Sequence, residues 1–280
     1  MKTTLLAAAA MAATVLVAHA AAADRVQELN DRHHFPSKEL FARLRGGGGQ
    51  NLVNHGGPVI HSAHVVPIFW GPSWGPSGVD NATATHIINF FGQFGTSSHY
   101  AVITQYYDAS GSIQTSILGN TNWFDSSPPP TNVTDAAVQG EVLKYLGTGA
   151  PFDPSAIYEV FLPPSSYSSD GSATSCGGPN LQYCAYHGHF SNGGRDIKYA
   201  AMPYPSCGGC QSSGFTAAQN FDHFSCHETR EAVTDADLNA WYDRRGYEAD
   251  DKCAWSPAPF IDGGYGYQWE WSNAAGACVK

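Results

Sequence analysis

The sequence predicts an α/β fold, with α+β as the alternative: a single domain in which a mixed sheet is flanked by helices. Three observations carry that expectation. Short runs rich in β-branched and aromatic residues, at 65–70, 156–162 and 198–202, read as buried strands. Segments whose apolar residues recur at helical spacing lie among them, so strands and helices interleave. All seven cysteines fall from Cys176 onward, so the C-terminal half is the part stapled by disulfides.

Residues 1–23 read as a secretory signal, with Lys2 as the basic start, an apolar stretch over 5–17 and Ala18-His19-Ala20 as a small-residue cleavage site. Residues 24–50 read as a flexible N-terminal segment or pro-segment. It contains a short helix over 39–44 and ends in Arg45 and four glycines, a linker composition. The domain proper is expected over 51–280. There His55-Gly56-Gly57-Pro58 is a turn, and residues 65–70 form the first strand.

Ile87, Ile88, Phe90, Phe91 and Phe94 define the apolar side of a helix over 82–94. A strand is expected over 101–107, a second helix over 135–146, and a last strand over 265–271. The sequons at Asn81 and Asn132 fall in expected surface loops.

Charged residues make up only 14% of the chain and aromatic residues 12%, which is the composition of a folded domain rather than a disordered one. A net charge of -10 argues against nucleic acid and anionic membranes as partners. The disulfide candidates are Cys176, Cys184, Cys207, Cys210, Cys253 and Cys278. The favoured pairing is Cys176–Cys184, Cys207–Cys210 and Cys253–Cys278, with Cys226 left as a buried thiol. Cys207-Gly208-Gly209-Cys210 also resembles a redox pair or half a zinc knuckle, but in a secreted chain a structural bridge is the better reading.

The chemistry concentrates in His227-Glu228-Thr229-Arg230-Glu231. This H-E-x-x-E differs by one letter from the H-E-x-x-H of zinc peptidases and predicts a zincin-like active-site helix. Residues four apart share a helix face, so His227 and Glu231 point the same way. A catalytic zinc takes three protein ligands and keeps one open position. The metal ligands are therefore His227, Glu231 and a later carboxylate, Glu248 or Asp251. Glu228 is the catalytic base that activates metal-bound water.

Phe215, Ala218, Phe221 and Phe224 give that helix its apolar spacing, and Thr216 or Ser213 caps it. His223 lies too far along one straight helix to join Glu231 at one ion and is expected as a partly buried neighbour. The blander reading of H-E-x-x-E is a solvated helix face, with Glu231 paired to Arg230 or Lys252. His187 and His189, like His61 and His64, could line the cleft or bind a metal, but ordinary surface or hydrogen-bonded histidines are the favoured reading. Tyr247, Tyr265 and Tyr267 are candidates for oxyanion stabilisation or for packing.

Several blocks resemble the EXORDIUM / phosphate-induced protein family of secreted proteins. They are His55-Gly56-Gly57-Pro58-Val59, Tyr183-Cys184-Ala185-Tyr186-His187, Tyr199-Ala200-Ala201, His227-Glu228 with Glu231, Leu238-Asn239-Ala240-Trp241-Tyr242, and Gln268-Trp269-Glu270-Trp271-Ser272-Asn273. The chain departs from the plant pattern in its tighter cysteine pair, in Thr234-Asp235, and in a shorter loop from Trp241 to Glu248. The resemblance implies an extracellular protein of wall or medium and no defined reaction. It carries Glu248 and Asp251 along with His227 and Glu231, and there Glu248 is preferred as third ligand, with Asp251 orienting His227.

Two functions follow. The first is a secreted zinc-dependent metallohydrolase, a metallopeptidase acting on a protein or peptide substrate. The alternative is a non-catalytic extracellular protein that binds cell-wall glycan or a protein partner through aromatics such as Trp123, Trp241 and Trp255. A redox role for Cys207 and Cys210 is a third, weaker reading.

Overall fold

The computed structural model describes residues 32–44, 49–119 and 121–280. The signal expected over 1–23 lies outside the described residues. Mixed helices and strands form a single domain around a six-stranded sheet. Its strands in chain order are β1 (Arg32–Pro36), β2 (His64–Trp70), β3 (Trp123–Asp125), β4 (Ala156–Phe161), β5 (Tyr183–Asn192) and β6 (Arg195–Met202). In space they run β1-β5-β6-β4-β2-β3. The β1/β5 and β5/β6 pairs are antiparallel and the remaining three are parallel, so the sheet is mixed.

The helices are α1 (Lys38–Leu44), α2 (Asn81–Phe94), α3 (Ser98–Ala101), α4 (Asp135–Leu146) and α5 (Ala217–Thr234). Val65, Phe69, Ile157 and Phe161 join one apolar cluster with α2 and α5, and their neighbours Val66, Ile68, Tyr158 and Val160 join another with α4. Alternate side chains thus leave opposite faces into separate cores. Both faces are covered, which is why the central strands read as unbroken apolar runs.

The expected strands over 65–70, 156–162 and 198–202 and the helices over 82–94 and 135–146 are present to within a few residues. Of residues 101–107, expected as a strand, only Tyr107 is in one, a two-residue piece ending at Asp108. Ser97 accepts from the Tyr100 N–H and starts α3, which runs into a 3-10 turn over Val102–Gln105. Local side-chain capping has outweighed β-propensity there. The last strand, expected over 265–271, is two short pieces, Tyr265–Tyr267 and Glu270–Ser272, in separate two-stranded ribbons. Asn81 opens α2 rather than lying in a loop, and its Nδ2 donates to the Trp74 carbonyl at 3.0 Å.

The largest correction concerns the N-terminal segment. Within the segment expected to be flexible, residues 32–36 form an edge strand of the main sheet, while the expected helix over 39–44 is present as Lys38–Leu44 and residues 45–48 lie outside the described residues. Arg32 reaches one side of the sheet, pairing with Asp170 and Asp135 at 2.9 Å each, while Phe35 is fully buried on the other. A strand anchored on both faces belongs to the core.

Three disulfides form: Cys176–Cys207, Cys184–Cys210 and Cys253–Cys278. The third matches expectation, and the first two exchange the partners of the favoured set. Each joins the 3-10 turn at Gly208–Cys210 to a distant part of the chain, with sequence separations of 31 and 26, instead of closing a small local loop. Both cysteines of the C-x-x-C are bridged elsewhere, so they are not a redox pair with each other. Cys226 is the free, buried thiol among the described residues.

A candidate metal centre

Helix α5 organises the site. Its start is a capping box: Thr216 Oγ1 accepts from the Gln219 N–H, and Gln219 Oε1 accepts from the Thr216 N–H at 3.0 Å. Every residue from Asn220 to Thr234 is buried, including the polar ones. A helix buried on all sides is ordinarily apolar, so the histidine and three charged residues over 227–231 are held at a cost in desolvation. His223, expected to be partly buried, is wholly enclosed and turns away from Glu231. Its Nε2 lies 3.0 Å from Gln268 Oε1 and its Nδ1 3.4 Å from Ser212 Oγ.

The sheet supplies the opposite wall. Register pairs His33 of β1 directly with His187 of β5, His187 with Ala200 of β6, and Ala200 with Glu159 of β4. Directly paired residues face the same way, so one row of the sheet presents two imidazoles and a carboxylate to α5. Glu159 accepts from Thr229 at 2.6 Å and from Ser225 at 3.1 Å, which fixes the helix over the row.

The third wall is the loop after α5. Asp243 Oδ1 accepts from the Arg245 and Tyr247 N–H groups, and Gly246 closes the turn with φ +84, a conformation that favours glycine. The loop then delivers Glu248 and Asp251 beside Cys253, whose bridge to Cys278 anchors it. The Asp251 N–H donates to Glu231 Oε1 at 2.8 Å.

Seven side chains meet there: His33, His187, His227, Glu228, Glu231, Glu248 and Asp251. None is more than 1% exposed. His227 Nε2 lies 3.0 Å from Glu231 and 3.7 Å from Asp251, without hydrogen-bond alignment to either. Its Nδ1 faces Gln268 Oε1 at 3.2 Å. Gln268 is itself held by donating to Asp250, so the ring orientation is fixed from behind.

His227, Glu231 and Asp251 form one group able to hold a metal, and His33, Glu231 and Glu248 form another. The sequence-predicted residues therefore all converge, with Asp251 beside His227, and Glu248 on the His33 side of Glu231. Glu228 Oε2 lies 2.9 Å from His187 Nδ1, leaving Oε1 without a partner.

Buried carboxylates crowded together hold protons. Burial, reinforced by Glu231, raises Glu228 well above the usual carboxylate range. Burial and the Glu231 charge do the same to Glu248. Burial raises Glu231, against the pull of His227. Burial opposes charge on His227, but Glu231 outweighs it and lifts the imidazole to about 9. His33 likewise rises to about 9 against burial, through Asp251. His187 falls well below its usual value through burial and then through neighbouring imidazoles, His33 and His227 foremost.

Sequence reasoning did not single out His33, and it named His187 with His189 but favoured an ordinary histidine over a ligand. The signal for His33 was faint: an alternating Arg32-His33-His34-Phe35 inside a segment with linker composition. The other histidines are as expected, with His61 on Asp108 and His64 on Asp153 at the surface, and His189 on Asp196. Tyr265 packs against His86 with tilted rings, and Tyr267 accepts from Gln93 at 2.7 Å, so both are engaged with residues outside this cluster. Tyr247 is buried, its hydroxyl 3.4 Å from the Leu44 carbonyl. No protein-family model, curated protein or solved structure matches the chain.

Proposed function

We propose that the chain is a secreted, metal-dependent hydrolase of EXORDIUM-like type, in its simplest form a zinc peptidase. The observation that carries it is the set of buried atoms without hydrogen-bond partners in one cluster: His227 Nε2 facing Glu231 Oε2 and Asp251 Oδ1, with Glu248 Oε2 and Glu228 Oε1 on the neighbouring carboxylates. Such atoms are costly unless something binds them. The donor set is nitrogen and oxygen with no thiolate, which suits zinc and its first-row neighbours. His227, Glu231 and Asp251 would hold the ion, with Glu248 on the far side of Glu231. When bound, zinc supplies Lewis acidity toward a carbonyl and acidifies water.

The protein's own part falls to Glu228. His187 fixes one of its oxygens, and the other is left to take the proton of the attacking water and pass it to the leaving group. Three disulfides, and no described helix long and apolar enough to cross a membrane, agree with an extracellular setting.

The test is cleavage of a denatured protein substrate by the purified chain, with and without chelator, beside Glu228→Gln. The expected result is chelator-sensitive cleavage that falls at least ~100-fold in the variant, at the low end of a general base's worth. Cleavage unchanged by Glu228→Gln would refute the assignment.

The near-complete burial of the cluster favours a second reading, in which the ion is structural and the protein a non-catalytic extracellular module. Aromatic glycan contacts fit it poorly, because Trp241 is 7% exposed, and neither Trp123 nor Trp255 is among the exposed large apolar side chains. Under this reading chelation lowers the melting temperature and no substrate is cut.

A further inference from the structure

We propose that the centre is dinuclear. A second divalent cation is held by His33, His187 and Glu248, and Glu231 bridges it to the ion at His227 and Asp251. The inference rests on the metal-dependent reading above and extends it from one ion to two.

Donor geometry is the first support. Each of the three histidines has one ring nitrogen engaged behind it and the other turned toward carboxylates. His227 uses Nδ1 toward Gln268 at 3.2 Å and presents Nε2. His33 uses Nε2 toward Asp251 at 2.6 Å and presents Nδ1 to Glu248 at 3.3 Å. His187 uses Nδ1 toward Glu228 at 2.9 Å and presents Nε2 to the same Glu248 oxygen at 3.7 Å. That arrangement fixes the tautomer of a ligand. His33 and His187 lie alongside each other with ring centroids 5.7 Å apart, and a nitrogen of each faces the same Glu248 oxygen.

The second support is that one ion cannot use all of these donors. Three potential metal-holding groups overlap here, with His33, His187 and His227 in different groups, and Glu231 is common to all three. A carboxylate shared in this way is a natural bridge between ions about 3.5–4 Å apart. His187 Nε2 and Glu248 Oε2 are buried and unpartnered, and both belong to the second position.

Charge is the third. Glu228, Glu231, Glu248 and Asp251 bring four potential negative charges to a buried cluster. The buried cations nearby are committed, Arg230 to Asp250 and Glu270 and Lys252 to Asp243. Two divalent ions held by neutral imidazoles offset all four charges, whereas one ion offsets two and leaves the rest to protons or to a charged His33. The other polar group with metal-like spacing, His189, Asp196 and Asp237, already has Lys198 paired to both acids and needs no cation.

The experiment is elemental analysis of the full secreted chain after loading with zinc chloride and desalting, beside His33→Gln, Glu248→Gln and His227→Gln, with circular dichroism as a check on folding. The proposal expects two equivalents in the wild type and one in each of His33→Gln and Glu248→Gln. One equivalent in the wild type, unchanged in His33→Gln and lost in His227→Gln, overturns the second ion and leaves the single-metal reading standing. No metal in the wild type overturns both. Two equivalents that persist in His33→Gln and Glu248→Gln place the second ion elsewhere and overturn the proposal. Should the variants not fold, manganese-loaded wild type decides by electron paramagnetic resonance. A spin-coupled pair supports the bridge, and isolated ions overturn it.

Discussion

Replacing Arg230 by methionine tests how the charged half of helix α5 is held. The side chain is 1% exposed. Its Nη1 donates to the His99 carbonyl at 3.0 Å, its Nε lies 3.1 Å from Asp250 and 2.6 Å from Glu270, and Nη2 contacts Asp250 again. Methionine fills most of the same volume, so the loss is chiefly electrostatic: two buried carboxylates remain without their cation. Breaking such a pair costs about 3–5 kcal/mol.

Protonation limits that cost, since burial already pushes Glu270 well above the usual carboxylate range. Glu270, raised further in the variant, contributes stability that is present at low pH and lost as pH rises through its folded value. The destabilisation should therefore be larger at pH 7 than at pH 5. Urea unfolding followed by tryptophan fluorescence measures it. The triple variant Arg230→Met, Asp250→Asn, Glu270→Gln should recover at least half, because it removes the charges together. A single-variant loss under about 1 kcal/mol, below the range for a broken buried pair, would refute the reasoning. A triple variant no more stable than the single one would trace the loss to packing instead.

Two further outcomes follow from the same walls of the site. Burial lifts Glu159 to about 8, against the hydroxyls of Thr229 and Ser225. A carboxyl raised on folding contributes stability that is complete below its unfolded value and lost as pH climbs through the folded one. Wild type should thus lose on the order of a few kcal/mol relative to Glu159→Gln between about pH 4.5 and 8. Parallel urea titrations across that range would show no divergence if the carboxyl were ionised throughout. Phe35 is fully buried and stacks on His227 with centroids 4.1 Å apart. Phe35→Ala should cost about 3–5 kcal/mol, and a melting temperature within a degree or two of wild type would mean that β1 is dispensable.

What the chain declares by itself is its local periodicity. Helices α2 and α4 and the central strands β2 and β4 were legible because both faces of the sheet are covered, so their apolar patterns run uninterrupted. His227, Glu228 and Glu231 were legible because four-residue spacing on a helix is a local property. Tertiary structure alone decided the rest. The cysteine partners lay across the fold, where proximity in sequence gives no guidance, and residues 98–105 took the helical form that local capping allowed. His33 and His187 lie 154 positions apart and meet only because antiparallel register sets β1 against β5. Sequence spacing could propose the helix half of the centre, but the sheet half exists only once non-local strand pairing has put a row of side chains beneath it.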